Sequence, residues 1–374
     1  MSKIFIIAST SITINLFLRD HILNLLENNK CYIISKDTHK LDFNHKNLYL
    51  KNINFSRKIN IFNDIKCFFQ FLIYSIKSKP NLYLSITPKA GWLTSLVNSV
   101  TFSNKHIHFF TGQHWTNYSY FKKFLFRLID QYILMKSIKS LVDGISQIKY
   151  LKSQLWICKN KLVVLKNGSI KGIDQDKFNL SKKYNESIKN KTNFDDTLKI
   201  ILYVGRINYE KGVTCLANAV LSLINSGEKI GLLLVGTKED NSADEIKKIF
   251  SNNCNRLAIC DHTNNTERYY NFSYITCLPS TREGFGMTLI ESSACGTPVI
   301  GSNIYGLKDS FIDNKSGLSF ELNNAKDLAS KIKILLYDEE KYKNFKNFGI
   351  KRVKNDFDKH KIEKEFNKFI SNYI

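Results

Sequence analysis

Short apolar runs recur along this chain, and each is followed by a polar turn and a helical stretch. In the first half the runs fall at residues 3–8, 31–35, 82–86, 107–110, 140–142 and 162–165. They do not alternate with polar residues. Continuous apolar character suits a strand buried on both faces, and a parallel sheet covered by helices buries both faces. The spacing predicts an amphipathic helix over about 15–26, a helical stretch over 59–77, and another after Thr87-Pro88-Lys89-Ala90-Gly91. A second series begins at 198–204 and continues at 231–235, 257–260, 274–278, from Val299-Ile300, and near 317–320, with helices between and after these runs. Residues 174–197 hold few apolar side chains and many Asn, Lys and Asp, and read as an interdomain linker with a loop. Two alternating β/α series predict an α/β chain of two doubly wound, Rossmann-like domains facing a central cleft.

A chain of 374 residues is long enough for two cores, and a hydrophobic content of 43% excludes disorder. The eight cysteines form no CxxC pair, and no histidine cluster has ligand spacing. They read as reduced thiols in a cytosolic protein without a metal centre. The apolar start at 3–9 lacks a following cleavage-site pattern and reads as a first strand. No apolar run reaches the roughly 18 residues of a spanning helix. The formal net charge of +22 is uneven: residues 1–150 hold 20 Lys and Arg against 7 Asp and Glu, while residues 201–350 hold 17 of each. The excess reflects either the solubility of a Lys- and Asn-rich chain or an anionic partner of the first half. Nucleic acid is the least favoured such partner, because its usual module signatures are absent.

Ligands of open α/β sheets bind at the carboxyl ends of strands. In the second series those ends carry Gly205-Arg206 with Lys211, Gly236, Asp261-His262 and the segment from Glu283 to Thr288. Arg206 and Lys211 bracket one turn, so both can point at one anion. Residues 274–302 (YITCLPSTREGFGMTLIESSACGTPVIGS) read as strand, glycine turn, helix and strand. A helix whose free N–H groups face a glycine turn suits a phosphate. Glu283 precedes that helix and Glu291 sits within it, which separates their tasks. Glu283 can bind a hydroxylated group beside a diphosphate, and Glu291 can accept hydrogen bonds from sugar hydroxyls.

The segment from Glu283 to Glu291 (E-GFGMTLI-E) resembles the E-x7-E signature of retaining GT-B glycosyltransferases, and Gly205 to Gly212 (GR-x4-KG) resembles their donor-diphosphate motif. With Leu278-Pro279-Ser280 before and Ala294 to Val299 after, the chain resembles glycosyltransferase family 4 (group 1) over most of its length. ITPKAG (86–91), FTGQHW (110–115) and LKNGSIKGID (165–174) resemble the bacterial subset that builds lipopolysaccharide O-antigen or capsule.

The resemblance implies an N-terminal acceptor-binding domain at 1–170 and a nucleotide-sugar donor-binding domain at 171–357, with the last helix, about 358–374, packing back on the first. It implies catalytic roles for Arg206, Lys211 and Glu283. The donor is expected to contact Gly205, Arg206, Lys211, Gly236, Glu283, Gly284, Phe285, Gly286, Met287, Thr288 and Glu291. Arg206 and Lys211 would hold the diphosphate, Glu283 the transferred sugar and Glu291 the ribose. Neither metal nor other cofactor is expected, since cations replace the metal; Asp174-Gln175-Asp176 has metal-motif spacing but reads as turn residues.

Two departures fall on the acceptor side. The Gly-Gly turn of many relatives is Ala8-Ser9-Thr10-Ser11 here, and the strand that often ends in His ends at Thr111. Ser9, Thr10, Thr111, Gln113 and His114 are therefore the acceptor-side candidates, and no general base is assigned. Residues 56–79 and 121–139 mix Phe, Ile and Leu with Lys and Arg. They are read either as interfacial helices on an anionic membrane or as core helices with a cationic outer face. The leading expectation is a sugar transferase acting on a polyprenyl-diphosphate-linked saccharide at the cytoplasmic face of the bacterial inner membrane, with UDP-hexose or UDP-N-acetylhexosamine as donor. A nucleotide-sugar epimerase and a basic nucleic-acid-binding protein are the alternatives.

Overall fold

A computed structural model describes residues 1–56, 60–103, 105–156, 160–181 and 185–374. The chain divides into two compact units, residues 1–172 with 359–374, and residues 173–358. The first unit holds β1 (Lys3–Ala8), β2 (Lys30–Ser35), β3 (Leu48–Asn52), β4 (Leu82–Ile86), β5 (His106–Phe110), β6 (Lys139–Val142) and β7 (Leu162–Val164). The second holds β8 (Lys199–Val204), β9 (Ile230–Val235), β10 (Leu257–Cys260), β11 (Ile275–Leu278), β12 (Val299–Ser302) and β13 (Gly317–Phe320). The spatial orders are β3-β2-β1-β4-β5-β6-β7 and β10-β9-β8-β11-β12-β13. Every pairing within these sheets is parallel. Both are Rossmann-like sheets that reverse direction beside their first strand.

The apolar runs form these strands because each feeds two cores. Along β1, Ile4, Ile6 and Ala8 enter one cluster while Phe5 and Ile7 enter the other. Along β9, Leu232 and Leu234 face one side, and Leu233 and Val235 face the opposite side. A strand with period-2 side chains and helices on both faces needs apolar residues at every position. The last helix, Lys359–Ser371, buries Phe366 and Ile370 in a core of the first unit, with Phe366 stacked on His21 at 4.2 Å between ring centroids.

Three sequence readings change. The helix expected over 15–26 is two helices, Ser11–Phe17 and Arg19–Leu26, joined at fully buried Leu18. The segment 174–197 is not a free linker: it carries the helix Asn185–Thr192, and Phe178, Ile188 and Phe194 pack with β8 and β9 residues in one core. Three apolar side chains suffice to anchor it. Residues 182–184 of that segment lie outside the described residues, as do Cys158 and the expected helix start at 59. The edge strand β3 was not anticipated; its LYLKN sequence is mostly exposed and lacks the continuous apolar signal.

The helices Ile61–Ser78 and Tyr120–Lys136 are amphipathic in an unusual sense. The first buries Asp64, Cys67, Phe71 and Ser75 and exposes Phe62, Ile65, Phe69 and Ile76. The second exposes Phe121, Leu125, Leu128 and Met135. Phe62 is 87% exposed and Phe121 70%. Their outward faces are therefore apolar as well as cationic, unlike a core helix with a purely cationic outer face.

Candidate active site

In the second unit the sheet reverses direction between β8 and β11, and the loops leaving these adjacent strands carry most of the predicted residues. The β8 loop runs through Gly205-Arg206 into the short turn Tyr209–Lys211 and the helix Val213–Asn225. The β11 loop runs through Pro279 to Gly286 and into the helix Met287–Ala294. The two loops are tied together. Lys211 Nζ lies 2.5 Å from Glu283 Oε1, with side chains only 14% and 17% exposed. Ser280 Oγ donates to the same carboxylate oxygen at 2.7 Å. Arg282 Nε pairs with Glu210 at 2.5 Å, and the Thr281 backbone N–H donates to the Glu210 carbonyl at 3.0 Å. Burial alone would raise the Glu210 carboxyl, but the hydrogen bond and charge of Arg282, with Lys211 and Arg206 nearby, hold it below its ordinary value.

Arg206 points outward and pairs with Glu239 at 2.8 Å, while Asn208 Nδ2 donates to the same oxygen at 2.7 Å. Beneath this turn the Tyr203 hydroxyl donates to the Arg206 carbonyl at 2.6 Å. Burial, then the nearby Glu283, raises the Tyr203 hydroxyl well above its ordinary value, so it remains a neutral donor. Three cations, Arg206, Lys211 and Arg282, are thus each matched by a carboxylate. Glycine is required where backbones meet. A Cβ on Gly236 would lie 1.8 Å from the Gly205 carbonyl oxygen, and one on Gly306 would lie 1.9 Å from the Glu283 carbonyl oxygen. Gly236 is thereby brought against the Gly205-Arg206 turn.

Gly284, Phe285, Met287 and Thr288 belong to the same loop and helix start, but Phe285 is buried against Phe357 and forms packing rather than open surface. Glu291 lies one turn into the helix and accepts from the Tyr270 hydroxyl at 2.8 Å. Sequence reading did not single out Asn208, Glu239, Tyr270 or Gly306, and it used Ser280 only within the Leu278-Pro279-Ser280 resemblance, with no role. Glu239 follows β9 closely, so the strand-end rule was the signal available for it; Tyr270 lies within the helix Thr266–Phe272 and gave none.

The acceptor-side candidates lie in the first unit, at the ends of β1 and β5. Ser9 Oγ is 2.8 Å from Thr87 Oγ1 across the β1–β4 reversal point, and Thr10 Oγ1 is 3.2 Å from Thr13 Oγ1. Thr87 itself has φ 84°, a region costly for a β-branched residue. Gln113 is fully buried and accepts from Gln147 Nε2 at 3.1 Å, within the loop packing. The His114 ring packs edge-on to Phe126 at 4.6 Å, next to Trp115, whose indole N–H donates to Asp130 at 2.7 Å. Thr111 lies between β5 and these residues and is partly exposed.

Two Rossmann-like units place the chain in the class of doubly wound α/β proteins, whose ligands bind at strand-end switch points, and the cations and glycine turn at this one suit an anion. Comparison with known proteins makes the class specific. Residues 185–352 match the family described as Glycosyl transferases group 1. The chain is 29% identical over 376 residues to the capsular polysaccharide biosynthesis glycosyltransferase CapM of Staphylococcus aureus, spanning 100% of this chain and 97% of that protein. It is 30% identical over 146 residues to the N,N'-diacetylbacillosaminyl-diphospho-undecaprenol alpha-1,3-N-acetylgalactosaminyltransferase of Campylobacter jejuni, spanning 39% of this chain and 37% of that one. The crystal structure of a glycosyltransferase from Rickettsia africae ESF-5 superposes with a TM-score of 0.77 at 21% identity, covering 100% and 97% of the two chains. The fold is GT-B, and the glycosyl transferase group 1 domain over residues 185–352 marks the chain as a transferase enzyme.

Proposed function

We propose that this enzyme moves a sugar, with retention of anomeric configuration, from a nucleoside diphosphate sugar to a lipid-linked saccharide during capsule or lipopolysaccharide O-antigen synthesis. The donor is UDP-hexose or UDP-N-acetylhexosamine, and the acceptor is carried on a polyprenyl diphosphate. The observation that carries this reading is the meeting of Lys211, Glu283 and the start of the helix Met287–Ala294 at the end of β8 and β11, with Arg206 beside them. Arg206 and Lys211 bind the diphosphate. When the anomeric C–O bond breaks, the departing diphosphate keeps the bonding pair, and charge grows where these cations lie. An acceptor hydroxyl forms the new bond, and its proton passes to the departing phosphate oxygen or to solvent. These cations supply the positive charge without a metal. Glu283 accepts from hydroxyls of the transferred sugar, and Glu291 from those of the ribose. Freeing Arg206 from Glu239 costs little, about 0–1 kcal/mol, because an exposed pair is weak.

The acceptor class rests on the relatives' names, one for capsular polysaccharide and one for a diphospho-undecaprenol substrate. Such acceptors lie in a membrane. No helix among the described residues is long and apolar enough to cross one. The exposed apolar stripes of Ile61–Ser78 and Tyr120–Lys136, flanked by Lys66, Lys77, Lys122 and Lys136, suit docking on the anionic inner face of the bacterial inner membrane instead. The basic excess of this half then serves lipid phosphates rather than nucleic acid.

The test is a thermal-shift screen with UDP, GDP and their sugars. UDP or GDP is expected to raise the melting temperature, and Arg206→Ala or Lys211→Ala to remove most of the rise. An unchanged rise in both variants overturns the diphosphate assignment. Sedimentation with anionic liposomes tests the surface: Phe62→Ser with Phe121→Ser should release the protein while leaving its melting temperature intact. Binding that survives both changes refutes docking by these helices.

A further inference from the structure

Glu291 does not stand alone in its helix. Tyr270, fully buried on the neighbouring helix Thr266–Phe272, donates its hydroxyl to Glu291 Oε2 at 2.8 Å. The Thr288 hydroxyl, 3.4 Å from the Val204 carbonyl oxygen at the end of β8, also hydrogen-bonds to the Tyr270 side chain. Tyr270 is further fixed from its backbone: its carbonyl accepts from Thr297 Oγ1 at 2.7 Å, just before β12. A rigid phenol, held by packing and by this hydrogen bond, sits behind a carboxylate that is itself only partly buried. A phenol cannot follow a carboxylate as a flexible side chain would. It therefore restricts the plane and rotamer in which Glu291 meets a ligand.

We propose that Tyr270 is a positioning residue that makes the donor site selective for ribose, by holding Glu291 so that it accepts hydrogen bonds from ribose hydroxyls. This inference rests on the reading of Glu291 given above. Selectivity of this kind comes from fixed polar geometry: a site built to meet a hydroxyl discriminates against a ligand lacking it, because the site group then loses its partner. A carboxylate free to rotate would solvate itself instead and discriminate less.

The experiment measures dissociation constants by calorimetry for UDP and GDP and for their 2′,3′-dideoxy forms, with wild type, Tyr270→Phe and Glu291→Gln. Wild type is expected to prefer the ribonucleotide by at least about tenfold, the scale of one hydrogen bond to a charged group. Tyr270→Phe should bring the ratio most of the way to one by weakening the ribonucleotide alone. Should Tyr270→Phe fail to fold, Thr288→Val removes the other side-chain partner of the phenol and should reduce the ratio in the same direction. A ratio unchanged in the variant, or equal weakening of both nucleotides, overturns the proposal. The two layers separate cleanly. If wild type itself does not discriminate, the ribose role of Glu291 fails. If Glu291→Gln abolishes discrimination and Tyr270→Phe does not, only the Tyr270 inference fails.

Discussion

The contact between Lys211 and Glu283 makes a quantitative claim, because the pair that is proposed to serve the donor also joins two loops. Replacing Lys211 by Met keeps the stem and removes the charge. Glu283, 17% exposed, then keeps the Ser280 hydroxyl at 2.7 Å but has no cation in contact among the described residues. Breaking a buried ion pair by removing one member costs roughly 3–5 kcal/mol. The residual exposure of 14% and 17% brings the expected cost to about 2–3 kcal/mol. For a unit of this size that lowers the melting temperature by about 5–10 °C. Glu283→Gln should cost a similar amount, since Lys211 is then left without its carboxylate. The double variant Lys211→Met/Glu283→Gln should recover most of the loss, giving a coupling of about 3 kcal/mol in the cycle. Nucleoside diphosphate binding should stay lost in the double variant, because the cation is gone. Circular-dichroism melts and urea titrations of the four proteins provide the cycle. If the single losses simply add, the ion pair is not what holds the β8 and β11 loops together, and the assignment of a joint structural and donor role to Lys211 is wrong.

Gly306→Ala probes the same loop from behind: its Cβ would press on the Glu283 carbonyl oxygen from 1.9 Å, so a cost of about 1–3 kcal/mol and loss of the nucleotide-induced thermal shift are expected, read in one melting series. Stability should also fall in mild acid. Burial lowers His106 to about 3 and His21 to about 4, and both folded values lie below the unfolded 6.5. The unfolded chain therefore takes up protons first as pH falls below 6.5, and each histidine costs about 1.4 kcal/mol per pH unit down to its folded value. Urea midpoints that stay level between pH 7.5 and 5.0 would contradict this.

What the sequence revealed follows from how much each element's neighbours constrain it. Central strands such as LYLSI and IGLLLV are covered on both sides, so nearly every residue reports burial. The edge strand β3 has one neighbour and an exposed face, and its LYLKN reads as nothing in particular. The segment 174–197 misled because anchoring takes three apolar residues, while composition counts all twenty-four. The loops after β8 and β11 were legible because backbone approach dictates glycine and charge placement there: Gly205 against Gly236, Lys211 against Glu283.

The two units differ in legibility for the same physical cause. In the second unit the candidate residues meet one another: cations, carboxylates and glycines are fixed by contacts within a few residues of two adjacent strand ends, so a spacing in sequence becomes a distance in space. In the first unit the candidates at the ends of β1 and β5 are small hydroxyls, a buried amide and the His114 ring, engaged in loop packing, with Ser9 held to Thr87, Gln113 to Gln147 and His114 edge-on to Phe126. The hydroxyls and the amide bind other hydroxyls, water or one another with equal ease, and neither charge nor backbone conformation selects among those partners. The exception is Thr87, a β-branched residue at φ 84° beside Ser9, where the fold sustains a conformation that propensity disfavours. Strain of order 1–3 kcal/mol persists where surrounding contacts over-determine it, which makes the Ser9–Thr87 pair the point of the first sheet most worth replacing. Thr87→Gly relieves that strain but removes the Oγ1 that both the Ser9 N–H and the Ser9 hydroxyl meet, so the two effects roughly offset in stability; if this pair orients the acceptor, turnover should fall while affinity for the nucleotide stays unchanged, and a variant of equal activity would assign Thr87 to folding alone.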